Sequence, residues 1–463
     1  MGTEDIAGPL GDFLAVALDR EGAEVRRLTR LSGGASRETW SFDLLDAVDG
    51  SIRPLILQRV RAGVTSAAFT MEGEAGLLRA ASSVGVPVAA VVAASDDVEI
   101  IGAPFLVMGH VDGETIARRI LRDDEFVAAR AALVGQCAEA LAGIHSIPAD
   151  VAAHLRHDDP VDQLRGLLDG LRQPHPAFEL GLRWLDANRP PPVEPAVVHG
   201  DFRLGNLMVD DQGLAAALDW ELAHLGDPIE DLGWLCVRAW RFGSDRPVAG
   251  VGTYEELIEA YGRASGRSVD PDQLRWWEAL GTLRWGLICV LQMSGHRSGA
   301  SRSVELAAIG RRVCENEYDL LRLIGARPAD ADGGLPITPG PVATLHDVPT
   351  AGELVEAVRE FLKGDVMAAT EGRVRFHAQV AARVLATVER ELAEGGAPVA
   401  AHAAALAELG FADDAQLAAA IRSAEPGTPV PVEWIRVTWD AVLAKVRVAN
   451  PSYATNEDLP AVP

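Results

Sequence analysis

The sequence predicts an α+β chain with a two-lobed core: a small lobe built on an antiparallel sheet, a large lobe made mostly of helices, and then a C-terminal all-α domain. Three observations predict it. Residues 25–110 alternate short β-type runs with one helical run. Residues 115–147 and 229–325 carry apolar residues at helical spacing. A Pro- and Gly-rich stretch at 327–349 then precedes a second region of amphipathic helix.

Residues 1–24 read as an N-terminal helical extension. In the small lobe, about 25–110, VRRLTRLSGGASRETWSFDLL reads as two strands joined by a Gly/Ser turn, and PLILQRV as a third. Residues 68–84 have helical periodicity. VPVAAVVAAS and APFLVMGHV read as two more strands, separated by the turn-like Ser95-Asp96-Asp97. The large lobe, about 111–326, begins with long helices that Pro148 stops. NRPPPVEP is a loop. Beyond it, AVVHGDFRLGNLMV and LAAALDW flank Asp210-Asp211-Gln212-Gly213, a hairpin signal. Residues 327–349 read as a linker and 350–463 as a helical accessory domain, opened by the capping-box pair Thr350 and Glu353. No sequence repeat is evident.

Composition bounds the function. The chain has 463 residues, 48% hydrophobic and 24% charged, as folded proteins do. A net charge of −25 disfavours nucleic acid and anionic membrane surfaces as partners, since both want a basic face. The four cysteines are widely spaced, without a C-x-x-C pair, which argues against a disulfide framework or a zinc site. Cys137, Cys236 and Cys289 read as small core residues. MGTEDIAGPLGDF lacks the basic and apolar regions of a secretory signal, and no apolar stretch reads as long enough to span a bilayer, so the expected location is cytoplasmic. Only two lysines occur, Lys363 and Lys445, both in the last quarter.

The strongest chemical signal is His199-Gly200-Asp201-Phe202-Arg203-Leu204-Gly205-Asn206 followed by Leu218-Asp219-Trp220-Glu221. Phosphoryl transfer needs a group that orients an acceptor hydroxyl and a set of oxygens that hold Mg²⁺ against nucleotide phosphates. Asp201 on a tight loop suits the first task. Asn206, five residues on, and Asp219, beyond the hairpin, suit the second, because Mg²⁺ prefers oxygen ligands. Singly, each would pass for an ordinary turn residue. HGDFRLGN and LDWELAHLGDPIEDLGW together resemble the choline/aminoglycoside phosphotransferase family, and most closely its branch related to the kinase-like domain fused to acyl-CoA dehydrogenases in animals. The resemblance covers about residues 25–325. It implies a protein-kinase-like fold and ATP with Mg²⁺ as cofactors. It further implies Asp201 as catalytic base, Asn206 and Asp219 as metal ligands, His199 as a brace for the loop and Asp231 as its buttress. His145, Trp220 and Trp234 read as structural.

On the nucleotide side, Leu31-Ser32-Gly33-Gly34-Ala35-Ser36 lies between two strands, where glycines let a backbone approach phosphates and Ser36 could donate to one. Kinase-like enzymes usually pair a third-strand lysine with a glutamate on the next helix. By resemblance the lysine position falls on Gln58, and relatives in this branch often carry arginine there. Period-two geometry turns Gln58 toward the nucleotide and Arg59 away, unless a bulge re-aims Arg59. Phosphate needs a counter-ion that Gln58 cannot supply, so Arg59 is the expected cation. Glu74 is its expected helix partner, with Glu72 as the alternative. FLVMGHV resembles the segment joining the lobes, where backbone groups of Gly109 and Val111 would read adenine; the spacing alone equally fits a buried strand end.

The expected acceptor is the hydroxyl of a small molecule. Trp234, Arg238, Trp240, Arg241, Trp276, Trp277, Arg284 and Trp285 favour an anionic or partly apolar alcohol, although the same tryptophans could be core; the branch resemblance points the same way, toward a hydroxy acid or hydroxyacyl-CoA. An aminoglycoside would instead want carboxylates. The missing lysine also admits a pseudokinase-like binding module. Glu356, Glu360, Arg373, Arg375 and His377 in the tail read as solvated helix faces.

Overall fold

The computed structural model describes residues 3–31, 37–46, 49–61, 70–148, 151–152, 154–299, 303–328 and 349–454. Along the chain come α1 (Thr3–Ala17), β1 (Glu24–Arg30), β2 (Arg37–Leu45), β3 (Ile52–Val60), α2 (Met71–Ser83), β4 (Val91–Ser95), α3 (Val98–Ile101) and β5 (Phe105–Gly109). Then follow α4 (Ala117–Arg122), α5 (Val127–Ile144), α6 (Pro160–Leu171), α7 (Pro176–Ala187), β6 (Ala196–Val198), β7 (Leu207–Val209), β8 (Leu214–Ala217), β9 (His224–Gly226), α8 (Ile229–Cys236) and α9 (Tyr254–Ser265). The remainder is helical: α10 (Pro271–Ser298), α11 (Val304–Ile309), α12 (Val313–Leu323), α13 (Ala351–Phe361), α14 (Met367–Ala369), α15 (Gly372–Glu394), α16 (Ala397–Glu408), α17 (Asp414–Ser423) and α18 (Val432–Ala449). The chain divides into two compact units, Met1–Asp158 with Pro191–Leu274, and Asp159–Pro190 with Arg275–Pro463.

In the first unit the five strands form one antiparallel sheet in the order β1-β2-β3-β5-β4. Alternation along the strands gives it two distinct faces. Trp40, Phe42, Leu44, Leu55, Leu57, Phe105 and Val107 point to one face, where Ile6, Leu10 and Leu14 of α1 cover them. The N-terminal helix is therefore part of the small-lobe core. Residues of the opposite register, such as Gln58 facing Thr39, point to the other face. Helix α2 packs against β4 and β5. Its first turn is fixed twice: Thr70 accepts the Gly73 N–H, and the Asp96 carboxylate accepts the Met71 N–H.

Two small ladders carry the functional loops. β7 and β8 form the hairpin around Asp210, whose carboxylate accepts the N–H groups of Gln212 and Gly213. β6 pairs with β9, a contact the sequence reading did not foresee because both strands have only three residues. The stretch Asp124–Ile144 is long and apolar enough to cross a bilayer by length and composition, contrary to the expectation above. Here α5 packs on α9 and buries Leu133, Val134, Cys137, Leu141 and Ile144, the pattern of a core helix.

In the second unit the helices after residue 350 share a core with earlier segments. Leu406, Leu417, Ile421, Val437, Trp439, Val442 and Val446 pack with Ala177 and Leu180 of α7 and with Cys314, Tyr318 and Leu321 of α12. Thr350 and Glu353 do form the capping box of α13. Trp439 is 2% exposed and lies 5.4 Å from the Tyr318 ring. Trp439→Ala should therefore cost about 3–5 kcal/mol of unfolding free energy in urea. An unchanged midpoint would mean that the tail helices contribute no core here.

Candidate functional site

The site lies within the first unit and is built from the β6–β7 loop outward. Gly200 has φ +76°, and a Cβ there would come within 2.5 Å of the Leu222 carbonyl oxygen, so the tight loop requires glycine. The loop is tied down by Asp231 at the start of α8. Its carboxylate, fully buried, accepts the N–H of His199 at 2.8 Å and of Gly200 at 2.9 Å. His145 Nε2 stands 3.1 Å from the same carboxylate, and His145 Nδ1 stands 2.8 Å from the Tyr261 hydroxyl. Burial pushes the Asp231 pKa up, but the His145 contact, the nearby imidazoles and the His199 N–H outweigh it and hold it below the ordinary carboxylate value. His199 is itself buried against Trp220, with ring centroids 4.7 Å apart, and its Nδ1 accepts the Asp201 N–H. Burial drives its pKa down, which favours the neutral ring. His199 thus contacts the loop through its ring and its backbone N–H.

Asp201 emerges from this loop with its carboxylate oriented by three donors. Trp234 Nε1 donates to Oδ1 at 2.8 Å, Arg203 Nε to Oδ1 at 2.9 Å, and Asn206 Nδ2 to Oδ2 at 2.5 Å. Arg203 also stacks over Trp240 at 4.3 Å. Asn206 donates through its amide nitrogen, which leaves Oδ1 as the atom able to meet a cation. Its backbone carbonyl accepts the Leu218 N–H, tying the loop to the strand that delivers Asp219. Asp219 sits in the left-handed region at φ +63°, which aspartate adopts more readily than most non-glycine residues. Burial first, and then the charges of Glu221, Asp201 and Glu74 acting against Arg37, push its pKa up to about 7. Such a carboxylate is short of positive charge.

The structure relocates the cation. The β2–β3 register runs unbroken from Arg37↔Val60 to Leu45↔Ile52, so the bulge that would re-aim Arg59 is absent. Arg59 shares the α1 side of the sheet with Leu57 and Leu55, 3.8 Å from Glu38, away from Gln58. The expectation for Arg59 is thereby corrected. Glu74 instead receives a two-pronged bond from Arg37 on β2, Nη1 to Oε1 at 2.8 Å and Nη2 to Oε2 at 2.6 Å. Glu72, the alternative, is exposed. Arg37 Nη1 also donates to Gln58 Oε1 at 3.2 Å, and its Nε stands 3.4 Å from Glu221.

Other expectations fare differently. Ser36 lies outside the described residues, as do Ser32, Gly33, Gly34 and Ala35. The Gly109 N–H is spent on the Ala90 carbonyl, and the His110 N–H on that of Pro54, so the Gly109 donor is not open to a base edge; Val111 is the first residue beyond these bonds. Trp276 and Trp277 are buried, as is Arg241, which donates to the Cys236 carbonyl and the Tyr254 hydroxyl. They serve as core and not as a pocket for an anion. Sequence reasoning missed Arg37, Arg203 and the Trp234 indole as parts of the site. A lone arginine at the start of a strand carries no local signal of its partner. Among the described residues no three or more His, Cys, Asp or Glu side chains converge as a protein-only metal cage. Mg²⁺ sites that share their ligands with phosphate and water do not need one.

Comparison with known proteins bears on family and fold. Residues 27–277 match the phosphotransferase enzyme family (APH), and residues 368–453 match a domain of unknown function, DUF6285. Mouse acyl-CoA dehydrogenase family member 10 is 28% identical over 256 residues, covering 50% of this chain and 23% of the relative. Mouse acyl-CoA dehydrogenase family member 11 is 28% identical over 276 residues, covering 54% and 34%. The chain thus spans about a third or less of the length of these relatives. A crystal structure of a candidate aminoglycoside phosphotransferase from Ralstonia eutropha superimposes with a TM-score of 0.53 at 20% identity, covering 68% of this chain and 97% of that one. That likeness supports the kinase-like fold.

Asp231→Asn should destabilise the loop by about 1–3 kcal/mol, because an amide can present only one oxygen to the three donors that converge there. Urea unfolding checks it; no measurable loss would show that the loop is held by other contacts.

Proposed function

Because the chain belongs to the phosphotransferase enzyme family, we propose that it transfers a phosphoryl group from ATP, with Mg²⁺, to the hydroxyl of a small molecule. One observation carries the reading. A carboxylate has about four acceptor positions, and three on Asp201 are filled by Trp234, Arg203 and Asn206. The remaining position is on Oδ2. Asp201 can therefore orient an acceptor hydroxyl there and take its proton as the oxygen engages phosphorus.

The donor set on the other side fits a hard cation. Asn206 Oδ1 and the Asp219 carboxylate would hold Mg²⁺, and the raised Asp219 pKa marks a carboxylate that gains from a nearby positive charge. Bound there, the metal supplies charge neutralisation at the phosphates. His199 and Asp231 act one step back, by fixing the backbone from which Asp201 projects.

For the acceptor, a hydroxy acid or hydroxyacyl thioester is favoured over an aminoglycoside. Arg203 is partly exposed and places a guanidinium beside the catalytic carboxylate, where it suits an anionic group and opposes a polycation. The names of the relatives, acyl-CoA dehydrogenase family members, lean the same way.

Asp201→Asn should lower transfer by about two to four orders of magnitude while MgATP still binds. Asp219→Ala should weaken Mg²⁺-dependent nucleotide binding. Calorimetry alongside an ATP-consumption assay separates the two roles; equal loss of nucleotide affinity in both variants would reject the division. In a panel of acceptors, hydroxy acids or their CoA thioesters should turn over. Efficient phosphorylation of aminoglycosides with none of the acids would reverse the choice of acceptor. MgATP binding without consumption on any acceptor would favour a binding module, the reading that the glutamine at position 58 keeps open.

A further inference from the structure

We infer that Arg37, on the second strand, takes the place of the absent third-strand lysine: Glu74 holds it, and its Nε–Nη2 edge, which lies beside Glu221, anchors the nucleotide phosphates. The inference rests on the nucleotide-binding reading above and names the residue that makes such binding possible without a lysine.

Charge sets the requirement. A nucleoside triphosphate brings several negative charges to a site that already holds Asp201, Asp219, Glu221 and Glu74. Magnesium offsets part of that, and a fixed cation must offset more. Lysine is missing throughout the first 362 residues, so the cation has to be arginine. Arg59 stands on the wrong side of the sheet. Arg37 stands on the same side as Gln58, hydrogen-bonds to it, and is the positive charge acting on Asp219.

Geometry then shows what is left for a ligand. Guanidinium has five N–H donors in a plane. Two are bonded to the oxygens of Glu74 and a third to Gln58. The others, on Nε and Nη2, lie on edges these bonds do not fill, and the Nε edge faces Glu221 at 3.4 Å. A lysine held by one glutamate oxygen would offer a single swivelling ammonium. An arginine clamped on two prongs by Glu74 offers a fixed edge, and such an edge suits phosphate oxygens. Position along the chain supports the assignment, since Arg37 opens β2. Gln58 becomes intelligible too: a lysine there would contend with Arg37 for Glu74, whereas a neutral amide accepts from the same guanidinium.

Arg37 could alternatively be a structural partner for a buried glutamate, and the experiment must tell these apart. Removing Arg37 alone would strand the Glu74 charge, so the informative protein is Arg37→Met combined with Glu74→Gln, which removes the pair together. Isothermal calorimetry with MgAMP-PNP and with adenosine, on the full chain with circular dichroism as the fold control, gives the readout. The double variant should bind MgAMP-PNP about ten- to a hundredfold more weakly and bind adenosine as the parent does. Adding Gln58→Lys to Arg37→Met alone, with Glu74 kept, should recover part of the affinity, because an ammonium returns to the same side opposite the same carboxylate. That second protein retains a paired Glu74 and decides the matter should the first not fold. Arg59→Ala should leave MgAMP-PNP affinity unchanged. If the parent binds MgAMP-PNP and the folded double variant binds it equally well, or if Arg59→Ala is the substitution that loses it, this inference falls and the phosphotransferase reading stands. If the parent binds no nucleotide, both fall.

Discussion

Everything at the site depends on one buried carboxylate. Asp231 accepts two consecutive backbone N–H groups of the β6–β7 loop and a contact from His145, and it lies at the start of a helix that also delivers Trp234 to Asp201. A buried anion is costly unless its acceptor positions are filled by good donors. Here they are filled by the very atoms whose position matters for chemistry. The cost of burying Asp231 and the geometry of Asp201 are therefore one constraint: the loop cannot move without stranding the charge. Tyr261 extends it into α9, so a helix remote in sequence takes part in holding the loop.

The second dependence is electrostatic. Asp201, Asp219, Glu221 and Glu74 act on one another, with Arg37 set against them. Burial and the neighbouring carboxylates together push the Asp219 pKa up to about 7 against the pull of Arg37. The cluster sets one guanidinium against four carboxylates. It also joins the two layers of the site. Arg37 belongs to the sheet, Glu74 to α2 and Glu221 to the turn after Asp219, so one guanidinium joins strand, helix and turn.

How much of this was legible in the sequence follows from how local each feature is. The loop from His199 to Asn206 and the hairpin to Asp219 lie within about two dozen residues, with the glycines and turn residues their geometry needs, so motif and spacing sufficed. The alternation of β3 also told correctly that Gln58 and Arg59 take opposite faces of the sheet. The inference failed one step later, where the need for a cation was allowed to override that alternation through a bulge. Identifying Arg37 requires the β2–β3 register together with the placement of α2, and neither is encoded in a short window. In the Trp- and Arg-rich segments the limit is similar: composition cannot separate an arginine that meets a ligand from one, like Arg241, that satisfies a buried carbonyl and a tyrosine hydroxyl.

The C-terminal helices show the same limit at larger scale. A Pro- and Gly-rich stretch reads as a linker, and a linker suggests an independent module. Connection and packing are separate matters, however. Helix α12 presents Cys314, Tyr318 and Leu321, and α7 presents Ala177 and Leu180, to side chains of α16, α17 and α18, so residues before the linker and residues after it complete one core. Apolar surface of that extent would be unfavourable to leave in water. Arg422 adds bonds to both oxygens of the buried Glu179 on α7 and to Asp169 on α6, and removing the tail would leave that glutamate without its arginine. On these contacts the tail is a structural complement of α7 and α12, whatever further role its outer faces carry.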